Sequence, residues 1–331
     1  MNTFGRLFRV SIFGESHGNG LGITLDGVPS GLSLTFKDFA ADLGRRRSGA
    51  KGTTPRKESD LPKFLTGIFN DRTTGAPLTI LFENTNIRPK DYDALRDTPR
   101  PGHADFVART KFGGFEDYRG GGHFSARLTL ALVAAGAVAK KLIRPIRINA
   151  QLIEAGGRSD IDSAINAAIE EQDSIGGIIE CRAAYVPLGL GEPFFDSLES
   201  LLSHIIFAIP AVKGIEFGSG FQAARMKGSE HNDSILSTDG KTGTNHAGGI
   251  NGGISNGNEL VFRVAIKPTS SISREQRTLN IKTGKIGTLK VEGRHDTCVA
   301  LRAPVVVEAA TAIVLADLML LEQKMKRIVS E

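Results

Sequence analysis

Apolar positions recur at helical spacing in four stretches of the chain. From Leu34 to Arg47, Phe36, Phe39, Ala40 and Leu43 share one face, and Thr35 stands where an N-cap belongs. Ser125 to Leu142 is rich in Ala and Leu with small residues on nearly every side, the pattern of a helix buried all round. Asp196 to Phe207 opens with Asp196 and Glu199 at capping-box spacing. Val306 to Ile328 begins apolar and ends in Lys324, Lys326 and Arg327, which suit the carbonyl-rich end of a helix. Strand-like runs fall at Phe8 to Phe13, Leu65 to Phe69, Pro77 to Phe82, Ile178 to Val186, Glu259 to Ile266 and Gly287 to Val291. They come in groups instead of alternating regularly with helices, which predicts an α+β fold with antiparallel sheets covering an apolar helical layer.

Glycine changes the picture next. The 39 glycines cluster at Gly14 to Gly22, Gly113 to Gly122, Gly214 to Gly220 and Gly248 to Gly257, beside strand-like segments, and read as tight turns and close backbone approaches. No Pro/Ser-rich or single-sign stretch separates two halves, so residues 1–331 are expected to form one domain. With 40% apolar and 23% charged residues the bulk of the chain is not disordered. The longest apolar stretches, Leu128 to Ala139 and Pro304 to Leu321, are too short for a membrane span or carry Glu308 and Asp317. Residues 1–15 hold no leader-like apolar segment. Cys181 and Cys298 lack ligand spacing, so neither a disulfide framework nor a metal site is expected, and a reducing cytoplasm fits.

A net charge of +5 suits a small anion as well as nucleic acid. The run from Arg45 to Lys57, RRRSGAKGTTPRK, carries six cations and no acid. No aromatic residue interleaves it, and the chain has no Trp and three Tyr, so stacking platforms for nucleic acid are lacking and none is expected as a partner. A non-catalytic anion- or RNA-binding protein built on this run stays as one alternative.

Gly14-Glu15-Ser16-His17-Gly18 satisfies the G-x-S-x-G pattern of a hydrolase nucleophile elbow, and a serine hydrolase using Ser16 is the other alternative, although only one strand precedes it. Gly218-Ser219-Gly220-Phe221-Gln222-Ala223 is a weak dinucleotide fingerprint, and Gly240-Lys241-Thr242 lacks the first glycine of a phosphate loop. Four clusters share another chemistry: Arg45 to Arg47, Arg100-Pro101-Gly102-His103-Ala104-Asp105, Gly120 to Arg127 with His123, and Gly293-Arg294-His295-Asp296. Arginine forks and glycine-exposed amides bind phosphate and carboxylate, and adjacent His or Asp can move protons.

These motifs carry a resemblance. FGESHG with Leu21-Gly22 and Asp26-Gly27-Val28-Pro29, then RPGHAD, DYRGGG with SAR, NHAGGINGGIS, KPTSS and GRHD with Cys298, in this order from Phe4 to about Leu321, look like the chorismate synthase family. The resemblance implies a carbon–oxygen lyase that removes phosphate and a ring hydrogen from 5-enolpyruvylshikimate-3-phosphate, giving chorismate for aromatic amino acid biosynthesis. It implies reduced FMN without net redox change, and a homotetramer built on a β-α-β sandwich with apolar helices layered between antiparallel sheets. NADPH at the chain itself and an external flavin reductase are the two sources of reduction left open. By motif, His17 would serve the reduced flavin, His103 the departing phosphate, and Asp296 the ring proton. Flavin contacts would fall on His123, Phe124, Ser125, Pro210, Ala211, Gly252, Lys267, Pro268, Thr269, Ser270, Ser271 and Arg294. Substrate or NADP contacts would fall on Arg46, Arg47, Lys51, Arg100 and Arg127. Where many relatives read GGGRSSAR, this chain has GGGHFSAR, so His123 and Phe124 replace an Arg and a Ser. The segment Ile143 to Gly176 is shorter than in many relatives, which is expected to trim a surface excursion. The substrate, with a phosphate of about −1.5 to −2 and two carboxylates, matches the cationic clusters.

Overall fold

The computed structural model describes residues 2–56, 58–87, 89–291 and 295–324. One antiparallel sheet is ordered β1 (Thr3–Phe4), β2 (Arg9–Gly14), β3 (Gly20–Asp26), β7 (Leu78–Glu83) and β4 (Lys63–Thr66). A second runs β10 (Val212–Phe217), β13 (Leu260–Ile266), β9 (Gly177–Ala184) and β8 (Arg147–Ala155), again antiparallel throughout. Small hairpins add β5 (Ile68–Phe69) with β6 (Arg72–Thr73), β11 (Ile250–Asn251) with β12 (Ile254–Ser255), and β14 (Gln276–Asn280) with β15 (Lys285–Leu289). The helices are α1 (Lys37–Arg46), α2 (Asp105–Phe112), α3 (Thr129–Leu142), α4 (Ile161–Glu170), α5 (Leu198–Ile206), α6 (Gly228–His231) and α7 (Pro304–Lys324). The fold is therefore α+β, as the grouped strands predict.

Period-two alternation supplies each sheet with one apolar face. Leu21, Ile23 and Leu25 of β3 and Leu78, Ile80 and Phe82 of β7 are buried, as are Ile179, Cys181 and Ala183 of β9 and Leu260, Phe262 and Val264 of β13. Helix α3 packs against β3, α7 packs against β8 and β9, and the two helices pack on each other. Their approach is close enough that a Cβ on Gly136 would lie 2.3 Å from that of Ala309. Each fully buried Leu, Ile or Val at this seam contributes roughly 1.5–3 kcal/mol. Helix α7 is long and apolar enough to cross a membrane by length and composition, yet it is mostly buried within the protein. Its Glu308 accepts from Arg45, Lys140 and the Ala150 amide, and Asp317 accepts from the amides of Arg6, Leu7 and Phe8.

Several local expectations are corrected. Helix α1 begins at Lys37, and Thr35 does not cap it; instead the Thr35 amide and hydroxyl donate to Asp38 Oδ2. Helix α5 is capped by Ser197, whose Oγ accepts from Ser200 N at 3.1 Å, because Asp196 is drawn away to Arg6. The run from Ile143 to Gly176, for which no strand or helix is expected, holds edge strand β8 and helix α4. The first glycine cluster is a turn only between Gly14, the end of β2, and Gly20, where β3 begins. Lys326 and Arg327 lie outside the described residues.

Candidate active site

Two cavities share a wall between the sheets' loops and the starts of α3 and α7. The first, about 400 Å³, is lined by Arg46, Arg47, Arg56, Arg100, Arg127 and Arg302, with Glu58, Asp60 and Asp296 among them. The second, about 590 Å³, is lined largely by apolar side chains, including Phe4, Ile12, Leu128, Leu132, Ile205 and Ile209. His103, Ser125, Ala126, Thr269, Ser270 and Asp296 line both. Cations packed this densely repel each other unless carboxylates or an anionic ligand intervene. Asp60 sits 3.0 Å from Arg127 Nη1 and 4.0 Å from Arg46 Nη1, and Glu58 lies 2.7 Å from Arg56 Nη2. Burial, and then the neighbouring Arg302, push the Arg46 guanidinium below its ordinary value, while Asp60 and Asp296 act the other way. Two donors in this wall are buried without a partner among the described residues: Arg127 Nη2 and Arg302 Nε. An unsatisfied buried guanidinium N–H costs about 1–3 kcal/mol or more unless a ligand accepts from it.

The turn after β2 carries Ser16 and His17, both buried. His17 stands behind the cavity wall, edge-on to Tyr92 with ring centroids 4.9 Å apart, and its Nδ1 is 3.2 Å from Ser16 Oγ. Ser16 itself lines the first cavity and also takes Arg56 Nη1 at 3.3 Å. This turn joins β2 to its antiparallel neighbour β3. A nucleophile elbow requires a strand, a sharp turn and then a helix, so the hydrolase reading of Ser16 loses its structural context.

The segment Arg100 to Asp105 leads into α2. Arg100 donates to Asp105 through Nε and Nη2 at 2.8 Å each and to Ser271 Oγ at 2.9 Å. Burial alone would raise the Asp105 carboxyl, but the hydrogen bonds from Arg100 and His103 hold it well below the usual carboxylate range. Asp296 accepts from Thr54 N at 2.9 Å and from Arg302 Nη2 at 2.6 Å. The basic loop is thereby tied to a carboxylate that faces both cavities. His295 beside it is pushed down by burial and by Arg100.

Arg46 is turned inward, donating to Thr129 Oγ1 and the carbonyls of Ala126 and Arg127, and Arg47 donates to Ser59 O. Arg45 pairs with Glu308. Within the Arg45 to Lys57 run, Arg46 is buried and Arg45 and Arg56 are paired with Glu308 and Glu58, whereas Arg45, Arg47 and Lys51 remain exposed; Lys57 lies outside the described residues. His123 Nδ1 donates to Gly14 O at 2.8 Å, its Nε2 is 3.1 Å from Asn2 Oδ1, and Phe124 tilts against Phe112. Pro210, Ala211, Lys267, Pro268, Thr269 and Ser270 line the second cavity, and Lys267 Nζ donates to Gly102 O and Ser270 Oγ at 2.8 Å. Gly252, in the β11–β12 turn, and exposed Lys51 line neither cavity. Arg294 lies outside the described residues. The motif-based reading omitted Arg56, Glu58, Asp60, Tyr92 and Arg302. Among the described residues no group of His, Cys, Asp and Glu could hold a metal ion.

The apolar second cavity suits a flat aromatic ring system. Thr269, whose buried hydroxyl lacks a partner among the described residues, marks its polar border. These residues fit a flavin.

Comparison with known proteins identifies the family. A family model for chorismate synthase matches residues 8–320. The chain is 64% identical over 329 residues to a chorismate synthase of Chitinophaga pinensis, covering 99% of each chain. It is 46% identical over 362 residues to one of Dehalococcoides mccartyi, covering 100% of each. A crystal structure of chorismate synthase superposes with a TM-score of 0.74 at 28% identity, covering 98% of this chain and 94% of that one.

Proposed function

The chain belongs to the chorismate synthase family and is a lyase that converts 5-enolpyruvylshikimate-3-phosphate to chorismate and phosphate; from that premise we propose which residues hold the ligands and which move protons. The carrying observation is the convergence of six arginines, two of them with buried N–H groups that have no partner among the described residues, on one cavity beside an apolar one. A ligand bearing a phosphate and two carboxylates suits this wall. Arg46, Arg47, Arg56, Arg100, Arg127 and Arg302 bind it, at about 1.5–3 kcal/mol per charged hydrogen bond.

Reduced FMN is assigned to the second cavity, held by Ser125, Pro210, Ala211 and Lys267 to Ser270, while Ser271 lines the first cavity beside Arg100. When bound, the reduced flavin supplies electron density that eases loss of the allylic phosphate and is regained without net redox change. His103 gives a proton to the phosphate oxygen as the carbon–oxygen bond breaks. Asp296, held as an acceptor by Thr54 N and Arg302, receives the ring proton whose bonding pair becomes the new carbon–carbon double bond. His17 reaches the site through the Ser16 hydroxyl, which passes protons between the imidazole and the cavity. His123 fastens the N-terminal strand to the flavin turn through Gly14 and Asn2 in place of a direct cationic contact.

We read residues 1–331 as one domain, supported by a single large core that runs from Phe8 to Leu318, and its layers as a β-α-β sandwich. A homotetramer would cover the exposed Phe115, Phe194, Phe195 and Phe221 and could bring Gly252 of one copy to the flavin of another. The test is anaerobic turnover with chemically reduced FMN, following phosphate and chorismate together. Equimolar products with reduced flavin and none with oxidised flavin are expected. Product formation without flavin overturns the cofactor assignment, and replacing the chemical reductant with NADPH decides whether an external reductase is needed.

A further inference from the structure

We propose that Asp105 is a positioning residue for this reaction: its carboxylate holds His103 in the tautomer bearing hydrogen on Nδ1, so that Nε2 is the nitrogen presented to the departing phosphate. The inference rests on the assignment of His103 as the acid and deepens it.

His103 Nδ1 lies 2.5 Å from Asp105 Oδ1. An ionised carboxylate only accepts, so the shared hydrogen belongs to Nδ1. Arg100 fixes the carboxylate from the other side, its backbone N reaching Oδ2 at 3.1 Å and its Nη2 reaching Oδ1 at 2.8 Å. Arg100 Nη2 is also 3.0 Å from His103 Nδ1. Two N–H donors gain nothing from each other, so both converge on Oδ1, and the carboxylate is what lets a guanidinium and an imidazole stand side by side. Asp105 opens α2, and residue 104 before it offers no side-chain cap, so the carboxylate is turned back toward residues 100 and 103 from a helically fixed Cα. Among the described residues no hydrogen bond takes His103 Nε2, and the ring lines both cavities.

The proton inventory follows. Doubly protonated imidazole gives the Nε2 hydrogen to the phosphate oxygen, which keeps the electron pair of the broken carbon–oxygen bond. What remains is neutral imidazole with hydrogen on Nδ1, the tautomer the carboxylate favours, and the cycle closes when Nε2 regains a proton from water.

A purely structural Asp105 would tie the 100–105 segment to α2, and its loss would cost the same whether or not His103 were present. The test therefore uses Asp105→Asn, Asp105→Glu, His103→Ala and the Asp105→Asn/His103→Ala double variant, in the full chain with chemically reduced FMN. Expected are a kcat about 100-fold lower in Asp105→Asn with KM within about threefold, and partial recovery in Asp105→Glu. In the His103→Ala background, Asp105→Asn should change kcat less than about twofold. Ring ¹⁵N spectra of the flavin-free wild type should show His103 protonated at Nδ1, and those of Asp105→Asn a shift toward Nε2 protonation. Wild-type kcat in Asp105→Asn, an equal loss in both backgrounds, a loss carried by KM, or an Nε2-protonated wild-type ring would each overturn the proposal. If His103→Ala is impaired and Asp105→Asn is not, only this inference fails; if His103→Ala turns over normally, the acid assignment fails with it.

Discussion

Gly120 offers a way to displace His17 without touching it. The residue has φ +61°, and a Cβ there would fall 2.3 Å from His17 Nδ1, 2.4 Å from Cε1 and 3.1 Å from Ser16 Oγ. To reach an ordinary contact of 3.4 Å the imidazole must retreat by about 1 Å, which breaks its 3.2 Å hydrogen bond to Ser16. Gly114 provides the control, since its φ is +82° and nothing lies within 4 Å of its added Cβ. Both alanine variants carry the left-handed backbone penalty of about 1 kcal/mol, and only Gly120→Ala moves the ring. A displacement of about 1 Å at a reacting centre costs on the order of 100-fold, or about 2.7 kcal/mol of barrier. In the anaerobic phosphate-release assay Gly120→Ala should therefore fall about 100-fold in kcat, while Gly114→Ala stays near wild type. Thermal midpoints should drop in both. A kcat for Gly120→Ala within about threefold of Gly114→Ala would refute the Ser16–His17 coupling.

Arg127→Lys keeps the charge but cannot supply Asn84, Asp60 and the Nη2 position that has no partner among the described residues together; KM for the substrate should rise about tenfold with kcat within about threefold, and an unchanged KM would remove Arg127 from the ligand site. Glu308→Gln should cost about 2–3 kcal/mol in urea melts at pH 7, since it strands two cations on a buried site whose partners are partly exposed. Burial works against the Glu308 carboxyl, yet Arg45 and Lys140 hold it below its usual value, so its stabilisation is full above the unfolded value near 4.3 and fades as pH falls through the lowered one. The gap between wild type and Glu308→Gln should therefore close in acid; a gap that stays constant down to pH 3 contradicts the pairing. Gly136→Ala should destabilise by about 1–2 kcal/mol, because overpacking against Ala309 outweighs the helix-propensity gain of roughly 1 kcal/mol, and a raised midpoint would show that the helices can part.

The apolar helices and most strands were legible because burial on all sides or on alternate positions leaves a mark in any window of the chain. Strand β3 was hidden by Gly20 and Gly22, which read as turn residues although Leu21, Ile23 and Leu25 alternate inward. Strand β8 was hidden by the outward Asn149 and Gln151 of a sheet edge. At the site, Arg100, His103, Arg127 and Asp296 announced themselves by adjacency to glycine and to each other. Asp60 did not, because its partner is distant: it meets Arg127 across 67 positions; Arg56, Glu58 and Arg302 pair locally, Arg56 with Glu58 and Arg302 with Asp296, but carry no glycine beside them to mark a ligand turn. The one local signal was acidic Glu58 and Asp60 directly after a run without acids. The Thr35 and Asp196 caps failed because a competing partner, Asp38 or Arg6, claimed the side chain first.

Helices α3 and α7 both begin at the cavity rim, directly after the short turns that carry Arg127 and Arg302. The aligned peptides of such helices place about half a positive charge at each N-terminus. Here both termini arrive from inside the protein, where mobile ions cannot crowd around them as they do around surface lysines. Part of the pull on an anionic ligand is thus written into the backbone, beyond the reach of side-chain substitution and little weakened by salt.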